Sequence, residues 1–242
     1  SVKAVVVVTS DKCYQNSETE REFAETDPLG GNDPYSASKA AAEMVTHAYR
    51  ASFFAKPDRK IYCATARAGN VIGGGDWAEY RIIPDMVKAI SAKTEFKIRN
   101  PNAIRPWQHV LDSLSAYLHI GQKLWEGKPE FEGAWNFGPE NHAYFTVEKL
   151  VAEFSKHWKA GNIVMGIDSK YFSEAKVLKL DSSKAKRLLN RQSVWNFSET
   201  VERTACWYKK FYTENTISCA NDLHLYIEKA KKLNLNWATG EI

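Results

Sequence analysis

The sequence predicts an α/β fold built on a parallel sheet, and three observations predict it. Val5 to Val8 form an unbroken apolar run, the pattern of a strand covered on both faces at the centre of a parallel sheet. That run stops at Thr9-Ser10-Asp11-Lys12, the carboxyl end of the strand, where helix-flanked parallel sheets place their ligands. Beyond it, strand-like and helix-like segments alternate to the end of the chain.

Each element has its own signal. Residues 15 to 34 are rich in Glu, Asp, Gly and Pro and read as an irregular excursion. A helix starts at Asp33-Pro34, a favourable pair for a cap and a first turn, and continues through Ser36 to Arg50. Ile61 to Ala68 reads as a second strand, followed by the glycine-rich loop Gly69 to Trp77. Downstream, Pro84 to Ala92 reads as a helix, Glu95 to Arg99 as a short strand, Asp112 to Trp125 as an amphipathic helix and Trp135 to Phe137 as a strand. Thr146 and Ser198 are expected to cap helices running to about Trp158 and Tyr212. Between them, Lys176 to Asp181 reads as a strand and Ser183 to Leu189 as a short helix, and a charged helix spans about Asp222 to Leu233.

Composition narrows the function classes. With 33 Lys and Arg against 29 Asp and Glu, the net charge of +4 is small and scattered, so a nucleic-acid partner is not expected. The four cysteines form no CxxC pair and the six histidines no HExxH, so no metal site is expected and a reducing, cytoplasmic setting fits. No apolar stretch approaches the length of a membrane span. The sequon Asn196-Phe197-Ser198 carries little weight in such a setting.

Three constellations carry chemistry. Tyr35 and Lys39 stand one helical turn apart, so both face one side of their helix. A phenol ordinarily holds its proton to about pH 10, and a neighbouring ammonium favours the phenolate, which makes Tyr35 a credible base. Alone, the pair also reads as a surface-facing helical couple. Asp11 and Lys12 offer an acid and a base side by side at a strand end, although without context they read as a solvated loop pair. Asn70, the amides around Gly73, Gly74 and Gly75, and the planar fork of Arg105 suit phosphate oxygens. The same glycines read equally as a turn, and His109, Trp77 and Trp107 as packed residues.

In that order, TSDKCY, DPYSASK, RAGNVIGGGDW, IIPD, NPNAIRPWQHV and WNFGP resemble the extended short-chain dehydrogenase/reductase family, most closely its CDP-glucose 4,6-dehydratases. The likeness spans essentially the whole chain. It implies the C-terminal part of a Rossmann-type parallel sheet (1–72 and 108–137) with a smaller α/β substrate-binding domain (73–107 and 138–242). It also implies NAD as cofactor, held in part by Tyr35 and Lys39, CDP-glucose as substrate, and a homo-oligomer. Ser10, Asp11, Lys12, Tyr35 and Lys39 would be catalytic, and Asn70, Arg105 and His109 would bind substrate.

The implied scheme is internal redox. Tyr35, with Lys39 and Ser10, takes the proton of the sugar 4-hydroxyl as hydride leaves C4 for NAD. Lys12 removes the C5 proton, Asp11 protonates the departing 6-hydroxyl, and the hydride returns to C6. Related dTDP-glucose dehydratases have Glu where Lys12 stands, and an ammonium acts as a base only where its surroundings lower its proton affinity. Cytosine is expected against Asp76 to Asp85.

Members of this family open with a GxxGxxG turn and several strand-helix units, and nothing of that kind precedes Val5. The expectation is therefore a dinucleotide-binding segment of roughly a hundred residues missing from this chain, with the flank of the valine strand exposed. Two other readings stay open: another sugar-nucleotide 4,6-dehydratase or 4-epimerase, and a binding module without turnover.

Overall fold

The computed structural model describes residues 2–15, 21–56, 60–139, 144–159, 161–165 and 178–240. In chain order the elements are β1 (Ala4–Val8), α1 (Pro34–Tyr49), β2 (Tyr62–Ala68), β3 (Val71–Ile72), α2 (Ile82–Ala92), β4 (Phe96–Ile98), β5 (Ile104–Pro106) and β6 (Gln108–His109). There follow α3 (Val110–Trp125), β7 (Gly133–Phe137), β8 (Tyr144–Thr146), α4 (Val147–His157), β9 (Ile163–Met165), α5 (Ser183–Leu189), α6 (Phe197–Glu214), α7 (Cys219–Lys232) and α8 (Asn236–Thr239).

The main sheet has the order β1-β2-β7 with both pairings parallel, placing Val5 beside Cys63 and Ala66 beside Trp135. β2 is buried along its whole length because it is central and covered on both faces. β1, which its valines predict to be central, lies instead at the edge of the described sheet. Its residues are only half-buried and Val8 is 49% exposed. An apolar groove of about 530 Å3 runs along that open side, lined by Val6, Val8, Tyr117, Leu118 and Trp125 among others. The expected exposed flank is therefore present in the described residues.

Of the four apolar clusters among the described residues, two are the largest. One lies under the main sheet and joins Ala64 and Ala66 to Ile120 and Leu124 of α3 and to Trp135. The other joins Met86 and Val87 of α2, Leu150 and Phe154 of α4, and Val201, Trp207 and Tyr208 of α6.

Most helix boundaries follow local chemistry. Asp33 caps α1 by accepting from the Ser36 amide at 3.0 Å, with Pro34 in the first turn. Thr146 caps α4 as its sequence predicts. The cap of α6 is Asn196, two residues before the expected Ser198, in a reciprocal capping box with Glu199. α7 begins at Cys219, three residues ahead of the expected start. The strand expected over Lys176 to Asp181 lies partly outside the described residues, and the described part forms a single bridge between Leu180 and Phe23.

Candidate active site

The carboxyl end of β1 meets the loops after β2 and β4 around a cleft of roughly 1240 Å3. Thr9, Ser10, Asp11, Lys12 and Tyr35 line one end, and Tyr80, Arg81 and Asp85 line the other. Asn70, Gly73, Gly74, Gly75 and Arg105 stand along the walls.

The strand end is closed by a single 3-10 turn over Asp11–Cys13. Ser10 Oγ caps it by accepting from the Lys12 amide at 3.2 Å, and donates to Asp11 Oδ1 at 3.0 Å. Asp11 is only 3% exposed, and its second oxygen, Oδ2, has no hydrogen-bond partner among the described residues. That oxygen lies beside Gly69, where an added Cβ would approach it to 3.3 Å. Burial pushes the Asp11 carboxyl up to about 6, against the opposing pull of the Ser10 hydroxyl and the positive charges of Lys12 and Arg105. A carboxyl poised near neutrality, with one oxygen uncommitted in a cleft wall, is suited to giving up a proton.

Tyr35 stands opposite on the first turn of α1, its ring 51% exposed. The Lys39 ammonium lies 5.7 Å and the Lys12 ammonium 5.9 Å from the ring centroid, so the phenol is flanked by two cations. Lys39 sits behind Tyr35 and forms no part of the cleft wall.

Arg105 is 5% exposed, on β5, and donates to the Ile104 carbonyl at 2.9 Å. Asn70 is half-buried between β2 and β3, its carbonyl accepting from the Gln108 amide at 3.1 Å.

The glycine run owes its composition to packing. A Cβ on Gly74 would sit 2.0 Å from the Trp207 ring, and one on Gly73 would sit 2.6 Å from Val110. Gly75 alone of the three has a left-handed backbone, φ 87°.

His109, expected to bind substrate, is not among the residues that line the cleft. It is 4% exposed and its Nδ1 accepts from the Leu111 amide at 3.2 Å, capping α3, while its ring meets Trp195 edge-on at 4.5 Å. Burial and the charge of Arg203 push its proton affinity down to about 3, so its imidazole is neutral. Trp107 is buried, with its Nε1 donating to the Phe145 carbonyl at 3.0 Å, and Trp77 packs on the α6 aromatics.

Tyr80, within the segment expected to meet the base, lines the cleft, and two residues were not anticipated: Tyr117 also lines it, and Glu43, two turns past Tyr35, is buried. Only the spacing of Glu43 from Tyr35 and Lys39, eight and four residues, carries a signal in the sequence.

Among the described residues no cluster of three or more His, Cys, Asp or Glu is arranged to hold a metal ion, and no helix is long and apolar enough to cross a membrane.

Residues 1–138 match the model of the NAD dependent epimerase/dehydratase family. The chain belongs to that family. Within it, the chain is 42% identical over 224 residues to a CDP-glucose 4,6-dehydratase of Salmonella typhimurium, covering 91% of this chain and 62% of that protein. A UDP-glucose 4-epimerase of Mycoplasma pneumoniae is 25% identical over 190 residues, covering 75% of this chain and 55% of the other. The chain thus spans less than two thirds of the length of these curated family members.

Solved members of this group share the fold. A dTDP-glucose 4,6-dehydratase from Bacillus anthracis, crystallised with NAD, superposes with a TM-score of 0.70 at 23% identity, over 88% of this chain and 63% of that one. A UDP-glucuronic acid 4-epimerase from Bacillus cereus gives 0.73 at 17% identity, again over 88% and 63%.

Proposed function

We propose that this chain carries the substrate site and the proton-transfer residues of a CDP-glucose 4,6-dehydratase. The observation that carries the reading is Asp11: a buried carboxyl raised to about 6, with one oxygen uncommitted, beside Lys12 and across from Tyr35. An epimerase acts at C4 and has no use for an acid at C6. The 42% identity to a CDP-glucose 4,6-dehydratase supports the same choice and favours cytosine as the base.

In this reading Arg105 and Asn70 bind the diphosphate, Arg105 as a buried planar fork. The hexose then reaches the β1 end. Tyr35 takes the proton of the 4-hydroxyl, and the Lys39 ammonium beside its ring balances the charge. Lys12 takes the C5 proton, and Asp11 gives its proton to the 6-hydroxyl, which departs as water. Ser10 keeps the Asp11 carboxyl oriented through its 3.0 Å hydrogen bond.

The residues present fit the nicotinamide ribose of NAD: the phenol of Tyr35 is exposed at the cleft, with the ammonium of Lys39, one helical turn on, behind it. When bound, NAD supplies the acceptor for the C4 hydride and returns it to C6.

The test is incubation of the chain with CDP-glucose and NAD, followed by mass spectrometry of the sugar nucleotide. Loss of one water is the expected result. Binding without a mass change would reduce the reading to a sugar-nucleotide-binding module, and absence of CDP-glucose binding by calorimetry would overturn it. In the active protein, Lys12→Ala should retain oxidation at C4 and lose elimination, and wild-type dehydration by that variant would refute the role of Lys12.

The reading extends to self-association. Met44, Val45, Tyr49 and Phe53 of α1 and the turn after it are each more than half exposed, an apolar stripe suited to a second copy. Light scattering tests it.

A further inference from the structure

The carboxylate of Glu43 is the meeting point of three elements. It accepts from Thr9 Oγ1 at 2.5 Å, from Thr65 Oγ1 at 2.7 Å and from Arg67 Nη2 at 2.7 Å. Arg67 in turn donates to the Tyr14 hydroxyl at 2.8 Å, and Tyr14 donates to Asn136 Oδ1 at 2.6 Å. Glu43 is only 5% exposed. Burial alone would favour its neutral form, but the bonds from Arg67, Thr9 and Thr65 outweigh burial and hold the carboxyl below its usual range.

Its place in the fold gives these bonds a consequence. Thr9 immediately precedes Ser10 and Asp11, whereas Glu43 lies on the buried face of α1, the helix whose first turns carry Tyr35 and Lys39. The other buried side chains of α1 are Ser36, Ala40 and Thr46, all small. Small side chains offer few ridges to interlock with a sheet, so they resist sliding of the helix poorly. Glu43 is the one long buried side chain of α1, and its hydrogen bonds are directional. A buried ion pair contributes little net stability compared with apolar packing of the same volume, so its value lies in fixing a register.

We propose that Glu43 is a positioning residue that locks the β1 end, with Ser10 and Asp11, to the helix carrying Tyr35 and Lys39, and that recognition of the hexose depends on this lock. The inference rests on the CDP-glucose reading. The nucleotide is held elsewhere, by residues after β2 and on β5, and does not depend on it.

Calorimetry with CDP and with CDP-glucose separates the two ends of the ligand. Changing Glu43 alone leaves Arg67 buried without its partner, so the variant of choice is the pair Glu43→Leu with Arg67→Met, which removes both charges together. A second variant, Thr9→Val, keeps the ion pair and removes the bond from the β1 end to Glu43, together with the long 3.4 Å contact of the same hydroxyl to the Ala66 carbonyl. Both should keep CDP affinity within about twofold, while the preference for CDP-glucose over CDP falls about tenfold in the pair and about threefold in Thr9→Val, as expected when reacting groups shift by a fraction of an ångström.

Wild-type preference retained in either folded variant overturns the inference and leaves the substrate reading intact. Failure of the wild-type chain to bind CDP-glucose overturns both. If the paired variant does not fold, Thr9→Val decides.

Discussion

The two ends of the cleft are built from opposite materials. The end with Ser10, Asp11 and Tyr35 rests on a buried polar network, Thr9-Glu43-Arg67-Tyr14-Asn136, every link of which is a hydrogen bond of 2.8 Å or less. The glycine wall, Gly73 to Gly75, that leads to the other end rests on aromatic packing. Gly74 lies against Trp207, which stacks on Phe211 at 5.6 Å and meets Trp77 edge-on at 5.8 Å. Directional bonds fix angles and tolerate little change of chemistry, whereas aromatic packing fixes volume and tolerates little change of size. The end that must align proton donors and acceptors has the directional material. The other supports a loop wall.

The largest effect should come from breaking the polar end on one side only. Arg67→Met leaves Glu43 buried beside two hydroxyls with no cation, and should destabilise by about 3–5 kcal/mol in urea denaturation. A loss below about 1 kcal/mol would mean that the network is more hydrated than its burial indicates.

Next in size is a stabilising change. Burial pushes the Asp11 carboxyl up to about 6 from the ordinary 3.8. A raised acid makes the folded state hold its proton longer, so its contribution to stability is fully present below about pH 4 and is lost as pH rises through the interval from 4 to 6. Above that interval the ionised buried carboxylate costs up to about 3 kcal/mol. Asp11→Asn should therefore raise stability at pH 7.5 and change it little at pH 4, while elimination of water is lost. An equal effect at both pH values would show that Asp11 titrates normally. In the active protein the elimination step should slow as pH rises above about 6, because the proton Asp11 donates is then absent.

At the packed end, Gly74→Ala brings a Cβ to 2.0 Å from an indole ring that is itself packed on both sides. Overpacking of this kind costs about 2 kcal/mol. Combining it with Trp207→Leu should recover part of the loss, and simple addition of the two costs would place the clash elsewhere.

The contrast also explains what was legible in the sequence. Tyr35 and Lys39 are four residues apart and Asp11 and Lys12 are adjacent, so each pair was readable as a local pattern, and all but Lys39 line the cleft. Glu43 was not, because its partners lie 34, 22 and 24 residues away and only the fold assembles them. The glycine run invited a phosphate reading for the same reason, since Trp207 is far along the chain. That the His109 ring nitrogen caps α3 was not legible either, because a histidine carries no local sign of it. The valine run correctly announced a parallel strand, but periodicity does not tell how many neighbours a strand has, and in the described sheet β1 has one.

The smallest effect tests how far the polar end extends. Asp33 accepts from the Ser36 amide at 3.0 Å and from its hydroxyl at 2.5 Å, and these bonds hold its carboxyl below the usual range. They close the first turn of α1, which carries Tyr35. Asp33→Ala removes the cap and should lower stability by about 1 kcal/mol. If Glu43 is what holds α1 in place, the loss remains local: amide exchange quickens at Ser36 and Ala37, while the amides near Glu43 keep their protection. If exchange quickens along the whole helix, the cap and not the buried carboxylate sets the position of α1, and the division between the two ends of the cleft would have to be redrawn.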